Sequence, residues 1–311
     1  MGRARIVIIV GPTATGKSAL AVRLCKDFNG AVINADSVQI YKYLNIGAAK
    51  PTLAEMDGVD HHLIDILEPD RPFSAADFRE AAIRKIGELS DSGKNIFVVG
   101  GTGLYIKILL GGIIDVPQSD PAIREELEAR AREHGIQSLY DELMETDPET
   151  AESISENDLF RIVRALEVYK STGVTISKVR EEHSFKESEF DALKVGLTMD
   201  RKRLYERIEE RVENMIKYGL LDEVKSLLHM GFSSDLKSLS SIGYKQIFMY
   251  LEGIISYDEA IRLIKRDTKR YAKRQFTWFK KDKDIIWHDA EKVAYGDEYI
   301  KVKDAVSAFL K

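Results

Sequence analysis

The residues best suited to chemistry lie near the N terminus, in the stretch Gly11-Pro-Thr-Ala-Thr-Gly-Lys-Ser18. This stretch fits the phosphate-binding pattern G-x-x-x-x-G-K-[ST]. The backbone amides of such a loop, and of the helix that follows it, present N–H donors and positive partial charge to a diphosphate. Lys17 adds a full positive charge, and the Ser18 hydroxyl is a natural ligand for Mg²⁺. The pattern predicts phosphate binding by Gly11, Pro12, Thr13, Ala14, Thr15, Gly16, Lys17 and Ser18 without requiring that the phosphate belong to ATP.

Asp36 is the carboxylate most suited to act beside this loop. In many P-loop enzymes an apolar strand ends in an aspartate that holds Mg²⁺. Here the apolar run Ile96–Val99 is followed by Gly100-Gly-Thr-Gly103, which has no carboxylate. This absence disfavours ATP hydrolysis, but small-molecule kinases can place their acidic residue after the second strand, where Asp36 lies. From the pattern alone, Asp36 is a general base, or it caps a turn or holds Mg²⁺ through water.

Four short apolar runs predict the strands that must position these residues: Arg5–Val10, Ala31–Asn34, Ile96–Val99 and Leu193–Leu197. The phosphate-binding loop lies between the first run and a helical stretch, Lys17–Phe28, and Asp36 closely follows the second run. Strand, loop, helix and strand in this order are typical of a doubly wound parallel sheet, whose ligand sites lie at the carboxyl ends of the strands. We therefore predict an α/β fold with a P-loop NTPase-like, doubly wound parallel sheet.

About eighty residues without a strand-like run separate the last two predicted strands, and their pattern is helical. Pro117 and Pro121 mark the start of this region. We predict a P-loop core over residues 1–115, an all-helical insertion domain over 116–190, and core completion with a basic helical part over 191–311. Asp200 is a candidate helix N-cap. The residues that recur at helical spacing after it should face the core: Leu204, Ile208, Val212 and Met215.

Charge is distributed unevenly along the chain. Lys plus Arg total 46 against 51 Asp plus Glu, a net charge of −5, which does not by itself suggest a nucleic-acid binder. Val116–Phe160 has thirteen acidic and three basic residues, whereas Arg262–Lys283 has ten basic and two acidic residues. Several of these cations share one helical face: Arg262, Arg266, Lys269, Arg270 and Lys273. Such a face is either solvated surface or a binding surface for an anionic partner.

The composition excludes several protein classes. The 311 residues are 44% hydrophobic and 31% charged, and the apolar runs are strand-sized and too short to cross a bilayer. Cys25 is the only cysteine, so a disulfide framework and a cysteine-based zinc site within the chain are excluded, and a reducing, cytoplasmic location is expected. The adjacent His61 and His62 point in different directions from any regular element, which favours a structural role near the sheet over metal binding.

Nine segments in order along the chain resemble the tRNA dimethylallyltransferase (tRNA isopentenyltransferase) family, bacterial type. The segments are spread in family order over nearly the whole chain, and the phosphate-binding loop alone would not indicate this family. They are Gly11-Pro-Thr-Ala-Thr-Gly-Lys-Ser18, Asn34-Ala-Asp-Ser-Val-Gln-Ile-Tyr41, Asn45-Ile-Gly-Ala-Ala-Lys-Pro51, His61-His-Leu-Ile-Asp65, Phe73-Ser-Ala-Ala-Asp-Phe78, Gly100-Gly-Thr-Gly-Leu-Tyr105, Arg164-Ala-Leu-Glu-Val168, Ile242-Gly-Tyr-Lys-Gln246 and Ala272-Lys-Arg-Gln-Phe-Thr-Trp278.

The resemblance implies transfer of a dimethylallyl group from dimethylallyl diphosphate to the exocyclic amine (N6) of the adenosine 3′-adjacent to the anticodon, in tRNAs reading codons that begin with U. It implies Asp36 as the catalytic base, Ser18 as a contact for Mg²⁺ and diphosphate, and Arg211 as a diphosphate clamp. We expect the anticodon stem-loop and dimethylallyl diphosphate as partners, no membrane, and a monomer. The positions implied to contact tRNA are Asp36, Ser37, Val38, Gln39, Thr102, Arg124, Arg161, Arg164, Ser241, Ile242, Gly243, Tyr244 and Lys245.

Val38 and Lys245 depart from the family pattern, since many members have arginine at both positions. Lysine cannot reproduce the two-pronged donor geometry of arginine, so different RNA contacts are expected there. Three rival functions remain open from the residues alone. They are a small-molecule or nucleotide kinase with a helical lid, a prenyltransferase of free adenine nucleotides, and a non-catalytic RNA-binding module.

Overall fold

A computed structural model describes residues 3–113, 120–183 and 189–311 of the protein. The chain forms two compact units, one of Met1–Leu110 with Ser188–Lys311 and one of Gly111–Glu187. From the sequence we expected the insertion to span residues 116–190. The expected boundary between residues 115 and 116, and Pro117 next to it, lie outside the described residues.

The first unit is built on a parallel sheet of six strands in the order β3-β2-β4-β1-β5-β6. The strands are β1 (Ala4–Val10), β2 (Gly30–Asn34), β3 (His61–His62), β4 (Asn95–Val99), β5 (Phe190–Thr198) and β6 (Ile286–Asp289). β1 lies between β4 and β5, with Ile8 opposite Val98 on one side and Lys194 on the other. The carboxyl ends of β1, β2 and β4 therefore meet at one edge of the sheet. This confirms the predicted α/β fold class.

The central strands are buried on both faces, as parallel strands covered by helices must be. Successive side chains of β1 point to opposite faces, so Ile6 and Ile8 join one hydrophobic core while Val7 and Ile9 join another. All four of these side chains are fully buried. The helices that enclose the two cores are thus placed on opposite sides of the sheet, which is the doubly wound arrangement.

Four helices follow the N-terminal strands: α1 (Lys17–Asp27), α2 (Leu53–Met56), α3 (Ala75–Asp91) and α4 (Gly103–Gly111). α1 begins after Gly16, whose backbone is left-handed, and it buries Leu20 and Leu24 against Val7 and Ile9. The N terminus of α3 is fixed by a capping box between Ser74 and Asp77, in which each side chain bonds to the other residue's backbone amide.

The described residues 120–183 of the second unit form five helices: α5 (Pro121–His134), α6 (Ile136–Thr146), α7 (Pro148–Ser153), α8 (Leu159–Thr172) and α9 (Ile176–His183). Over residues 120–183 the structure contains no strand. Leu127, Leu139, Ile162 and Leu166 are fully buried in the unit's own core. Asp120 caps α5, and Pro121 occupies a position at the helix start where its missing N–H costs nothing.

The C-terminal part contains α10 (Arg201–Lys217), α11 (Leu220–His229), a short 3₁₀ helix (Lys237–Ser240), α12 (Tyr244–Leu251), α13 (Tyr257–Phe279), α14 (Ala290–Tyr295) and α15 (Glu298–Leu310). The predicted N-cap is confirmed, since the Asp200 carboxylate accepts hydrogen bonds from the amides of Lys202 and Arg203. The helical prediction for this part missed β6. Likewise β3, made of His61 and His62, was not predicted as a strand, although a structural role near the sheet was.

The composition indicated a lone thiol at Cys25 and apolar runs too short to cross a bilayer. Cys25 is a free, buried cysteine on α1, as predicted, and burial raises the pKa of its thiol to about 12. Among the helices of residues 3–113, 120–183 and 189–311, none is both long and apolar enough to cross a membrane.

Candidate active site at the carboxyl edge of the sheet

The phosphate-binding loop connects β1 to α1 in a conformation that depends on its glycines. Gly11 has φ 145°, and a Cβ there would lie 2.5 Å from the carbonyl oxygen of Leu197 on β5. Gly16 has φ 87°, a left-handed conformation that disfavours other residues. The carbonyl of Pro12 accepts hydrogen bonds from the Thr15 hydroxyl and from Lys17 Nζ, both at 2.8 Å. The loop is therefore fixed in shape before any ligand arrives.

Lys17 lies half-buried at the start of α1, and its pKa is lowered to about 7. Burial is the main cause, the positive charge of Arg211 adds to it, and the negative charge of Asp36 opposes it. The negative charge around the ammonium is thus too small to offset its burial, and a bound phosphate group would supply more negative charge. Ser18, the next residue, is exposed.

Asp36 follows β2 at the same edge of the sheet and shapes its own turn. Its Oδ1 accepts hydrogen bonds from the amides of Val38 at 2.9 Å and Gln39 at 3.3 Å. In the part of the chain that the structure describes, Oδ2 accepts no hydrogen bond. The carboxylate is therefore oriented by one oxygen while the other remains available to a substrate.

Arg211 lies half-buried on α10, far from the loop in sequence. Burial lowers the pKa of its guanidinium, whereas the negative charges of Asp36 and Glu55 oppose that shift. The charge of Asp36 acts on the pKa of both Lys17 and Arg211, and the charge of Arg211 acts on that of Lys17, so the three side chains are neighbours in one site. Among the described residues Asp36 forms no ion pair with either cation. Two cations and a carboxylate thus converge without neutralising one another.

The loop after β4 brings Thr102 next to the Asp36 turn. Thr102 Oγ1 accepts a hydrogen bond from the amide of Ser37 at 3.2 Å, and the Thr102 amide donates to the carbonyl of Ala35. Gly100 must be glycine here, because a Cβ would lie 2.1 Å from the Ala35 carbonyl oxygen. Thr102 and the Ser37–Gln39 turn therefore form one side of the site.

Two residues on α13 that sequence reasoning did not select also belong to this region. Gln275 Oε1 accepts from the Thr13 amide at 2.8 Å, and its Nε2 donates to the Gly101 carbonyl at 3.0 Å. The Tyr271 hydroxyl forms hydrogen bonds with the side chains of Thr102 and Gln275, and burial raises its pKa. Gln275 lies within one of the motif segments, which is the only sequence signal that could have identified it.

Segment Ser241–Lys245 precedes and starts α12, and a network joins it to the Asp36 turn. Tyr244 is fully buried, and its hydroxyl donates to Glu223 Oε1 at 2.7 Å. The Glu223 carboxylate also accepts the amides of Asn45, Ile46 and Gly47 at 2.8–3.1 Å. Gln39 Nε2 donates to the carbonyls of Ala48 and Ala49. Glu223 thus connects Tyr244 to the backbone of residues 45–47, a role that no sequence motif indicated.

The remaining positions in this segment and the Asp36 turn differ in exposure. Ser241 and Ile242 are half-buried, Gly243 is buried with φ 101°, and Lys245 is exposed. Val38 is partly buried and packs against the core cluster that contains Tyr244. Of the two departures from the family pattern, Lys245 is therefore exposed and Val38 is not.

Three predicted RNA contacts lie in the second unit. Arg124 on α5 sits with its guanidinium 5.3 Å from the centre of the exposed Phe160 ring. Arg161, which follows Phe160 at the start of α8, is exposed and lies 3.4 Å from Asp158. Arg164 is paired with the buried Glu167 at 3.0 Å. Within this unit Arg124, Phe160 and Arg161 thus present two cations and an aromatic ring near the start of α8.

The basic face of α13 is partly neutralised by acidic residues. Lys265 pairs with Glu213 on α10 at 2.7 Å, and Lys269 pairs with Glu209 on the same helix. Arg262 pairs with Glu259, and Asp267 lies near Arg266 and Arg270. The cations without an ion pair in the described structure follow toward the C-terminal end: Lys273, Arg274, Lys280, Lys281 and Lys283.

His61 and His62 lie in the sheet, next to which a structural role was expected for them. They form β3 beside β2, and His61 Nδ1 is 2.9 Å from the carbonyl oxygen of Val59. The described residues include no group of three or more His, Cys, Asp or Glu side chains that could hold a metal ion. Burial lowers the pKa of His62, which favours its neutral form.

Comparison with known proteins identifies the family. The family model described as IPP transferase matches residues 39–282. The chain is 50% identical to "tRNA dimethylallyltransferase 2" of Geotalea uraniireducens over 98% of this chain and 97% of that one. It is similar to the solved tRNA isopentenylpyrophosphate transferase of Bacillus halodurans, with a TM-score of 0.75, 40% identity and coverage of 99% and 97%. It is also similar to a eukaryotic dimethylallyltransferase acting on tRNA, with a TM-score of 0.82, 27% identity and coverage of 98% and 80%. The chain with this phosphate-binding loop and its neighbouring carboxylate therefore belongs to the IPP transferase family.

Proposed function

We propose that the protein transfers a dimethylallyl group from dimethylallyl diphosphate to N6 of the adenosine 3′-adjacent to the anticodon, in tRNAs that read codons beginning with U. The observation that carries the proposal is the convergence of Lys17 and Arg211 with Asp36. Two cations suit a departing diphosphate, and an adjacent carboxylate suits a nucleophile that must lose a proton. The names of the relatives support the same substrates.

The diphosphate binds at the loop Gly11–Ser18. In the transfer step the bond between the allylic carbon and the diphosphate oxygen breaks, and its electron pair leaves with diphosphate. The loop amides, Lys17 and Arg211 stabilise the negative charge as it develops on that oxygen. Gln275 already binds the Thr13 amide, so the donors directed at the diphosphate are the other amides of the loop and of the first turn of α1.

Mg²⁺ fits this site through Ser18. Its hydroxyl is exposed beside Lys17, and hydroxyl and phosphate oxygens are the hard ligands that Mg²⁺ prefers. When bound, the ion neutralises part of the charge of the diphosphate. Ser18 would hold the ion next to the diphosphate.

Asp36 accepts the proton of the adenine amine. The lone pair of this nitrogen is delocalised into the ring, so the amine is a weak nucleophile and benefits from a positioned base. As N6 forms its bond to the allylic carbon, the excess proton passes to the carboxylate. Oδ2 is the oxygen suited to this role, since Oδ1 holds the turn through the Val38 and Gln39 amides.

The RNA must present the adenine outside the base stack, at a cost of a few kcal/mol. Contacts with the rest of the anticodon stem-loop supply that energy. We assign them to Asp36, Ser37, Val38, Gln39 and Thr102 in the site, to Ser241–Lys245, to Arg124, Arg161 and Arg164 in the second unit, and to the cations near the end of α13 without an ion pair. We propose that a monomer acts in the cytoplasm, where its tRNA substrate is found.

Labelled dimethylallyl diphosphate tests the proposal directly. The protein and Mg²⁺ are incubated with an anticodon stem-loop that has adenosine after the anticodon, with a matched stem-loop that has guanosine there, and with AMP or ATP. We expect label only in the adenosine stem-loop, and expect EDTA to suppress transfer. Label in AMP or ATP but not in the RNA would contradict the proposed acceptor, and equal labelling of both stem-loops would contradict the proposed position.

A further inference from the structure

We infer that Gln275 is a positioning residue, and this inference rests on the proposed function. Gln275 fixes the position of the phosphate-binding loop relative to the loop after β4, which lies on the acceptor side of the site, where the adenine is proposed to bind. Gln275 lies on α13 and is 5% exposed. Its side-chain amide bonds at both ends to main-chain groups of two different loops, Thr13 in the loop after β1 and Gly101 in the loop after β4. The strands that precede these loops, β1 and β4, are paired up to Ile9 and Val99, and Gln275 extends this connection beyond the ends of the strands.

The geometry around the amide is specific. Gln275 Oε1 accepts from the Thr13 amide at 2.8 Å while Nε2 donates to the Gly101 carbonyl at 3.0 Å, so only a side chain with one acceptor and one donor satisfies both. A Cβ at Gly101 would lie 2.1 Å from Gln275 Nε2. The absence of a side chain at position 101 therefore makes room for this amide. Both partners are backbone groups, so the bonds set the path of each loop.

In the proposed reaction, the two loops contact different substrates. The first includes Lys17 and binds the leaving diphosphate. The second includes Thr102, whose hydroxyl accepts a hydrogen bond from the Ser37 amide next to Asp36. Tyr271, one turn before Gln275, bonds to both Thr102 and Gln275 and extends the contact to the acceptor side. Displacing one loop relative to the other would misalign the amine with the allylic carbon, and small misplacements of reacting groups are costly in rate.

Two substitutions of Gln275 separate positioning from general stability. Gln275→Met keeps the approximate length of the side chain but loses both hydrogen bonds. Gln275→Glu keeps an acceptor for the Thr13 amide and loses the donor to Gly101. When protonated, the glutamic acid can donate again, and burial next to a carbonyl oxygen raises the pKa of such a carboxyl group.

Asn95→Asp is a matched control. The Asn95 side-chain amide donates to the carbonyl of Phe28 at 2.6 Å, and Asn95 begins β4 at the opposite edge of the sheet. The substitution also turns an amide that donates to a main-chain carbonyl into an acid, but at a position away from both loops. A loss of stability common to such changes would therefore affect both variants.

The experiment measures the single-turnover rate of label transfer from saturating dimethylallyl diphosphate to the adenosine stem-loop, with RNA affinity and melting temperature determined in parallel. We expect Gln275→Met to lower the rate by roughly 10- to 100-fold with RNA affinity within about twofold of the parent protein. Asn95→Asp should keep the rate within about twofold, whatever its melting temperature. A rate for Gln275→Met equal to that of the parent would overturn the inference, and so would a loss of rate in Asn95→Asp equal to that in Gln275→Glu, the amide-to-acid change that it matches.

The pH profile of Gln275→Glu is a second readout, useful if the Met variant does not fold. Relative to the parent protein, its rate should recover as the pH falls from about 8 to about 6, because the protonated side chain regains a donor. Lys17 in the adjacent loop also titrates in this range, with a pKa of about 7, and Asp36 and Arg274 are charged groups near Tyr271. All of these groups are present in both proteins, so the ratio of the two rates reports the side chain at position 275. A constant ratio across this range would contradict the inference. Absence of transfer by the parent protein itself would instead reject the proposed function.

Discussion

Lys17 should take up a proton when diphosphate binds. In the free protein burial and the positive charge of Arg211 lower its pKa to about 7. A bound diphosphate brings negative charge to the ammonium, which favours the protonated form and raises the pKa. Above neutral pH, diphosphate binding must therefore draw a proton from solvent, so the affinity for diphosphate weakens as the pH rises through the pKa of Lys17 in the free protein.

The pKa sets the size of this effect. With a pKa of about 7, roughly nine-tenths of the free protein carries the Lys17 proton at about pH 6 and roughly one-tenth at about pH 8. If only the protonated form binds well, the dissociation constant for diphosphate rises about tenfold over this interval, equivalent to about 1.4 kcal/mol. Near pH 8 the proton uptake at Lys17 approaches one per bound diphosphate.

Titration calorimetry with inorganic diphosphate, in buffers that differ in their enthalpy of ionisation, measures this uptake. Diphosphate itself ionises in the same range, so Lys17→Arg is the matched control, since its guanidinium stays charged. The uptake by the parent protein minus that by the variant isolates Lys17. We expect a difference close to one proton near pH 8 and close to zero near pH 6. Equal uptake by both proteins at both pH values would refute this reasoning.

Three further predictions concern residues around the site. Arg211→Ala should lower the transfer rate by ~10²–10³-fold, as loss of a transition-state contact does, and should raise the pKa of Lys17 in the same calorimetric measurement. Glu223→Gln should reduce the free energy of unfolding in urea by about 2 kcal/mol, because one oxygen cannot accept all of the bonds the carboxylate receives. Lys273→Ala should reduce the slope of log affinity for the stem-loop against log salt concentration by about one, whereas Lys269→Ala, whose cation is paired with Glu209, should change it less.

The sequence predicted those parts of the fold whose signals are local. β1, β2 and β4 are short apolar runs buried on both faces, and the loop after β1 has a spacing that phosphate binding explains. β3 has only two residues, both histidine, and β6 has only Ile286 and Trp287 as apolar residues. β3 thus gives no apolar run, and β6 gives only the three-residue run Ile285–Trp287, so both strands form mainly through pairing with a neighbour.

Site residues that belong to a sequence motif could be predicted. Site residues that depend on contacts between distant segments could not. Asp36 and Lys17 follow from pattern and position. The bond from Thr13 to Gln275 joins residues 262 positions apart, and no local pattern predicts such a contact. Helical spacing identified the cations of α13, but it could not indicate that Glu209 and Glu213 of α10 would pair with two of them.

Asp36→Asn provides the sharpest test of the proposed chemistry. An asparagine keeps Oδ1 as acceptor for the Val38 and Gln39 amides, so the turn is preserved, but it cannot accept the amine proton. Single-turnover transfer of label to the stem-loop is measured together with the affinities for stem-loop and diphosphate. We predict a rate lower by ~10²–10⁴-fold with both affinities within a few fold of the parent protein. An unchanged rate, or a loss of affinity that matches the loss of rate, would contradict the role of Asp36 as the base.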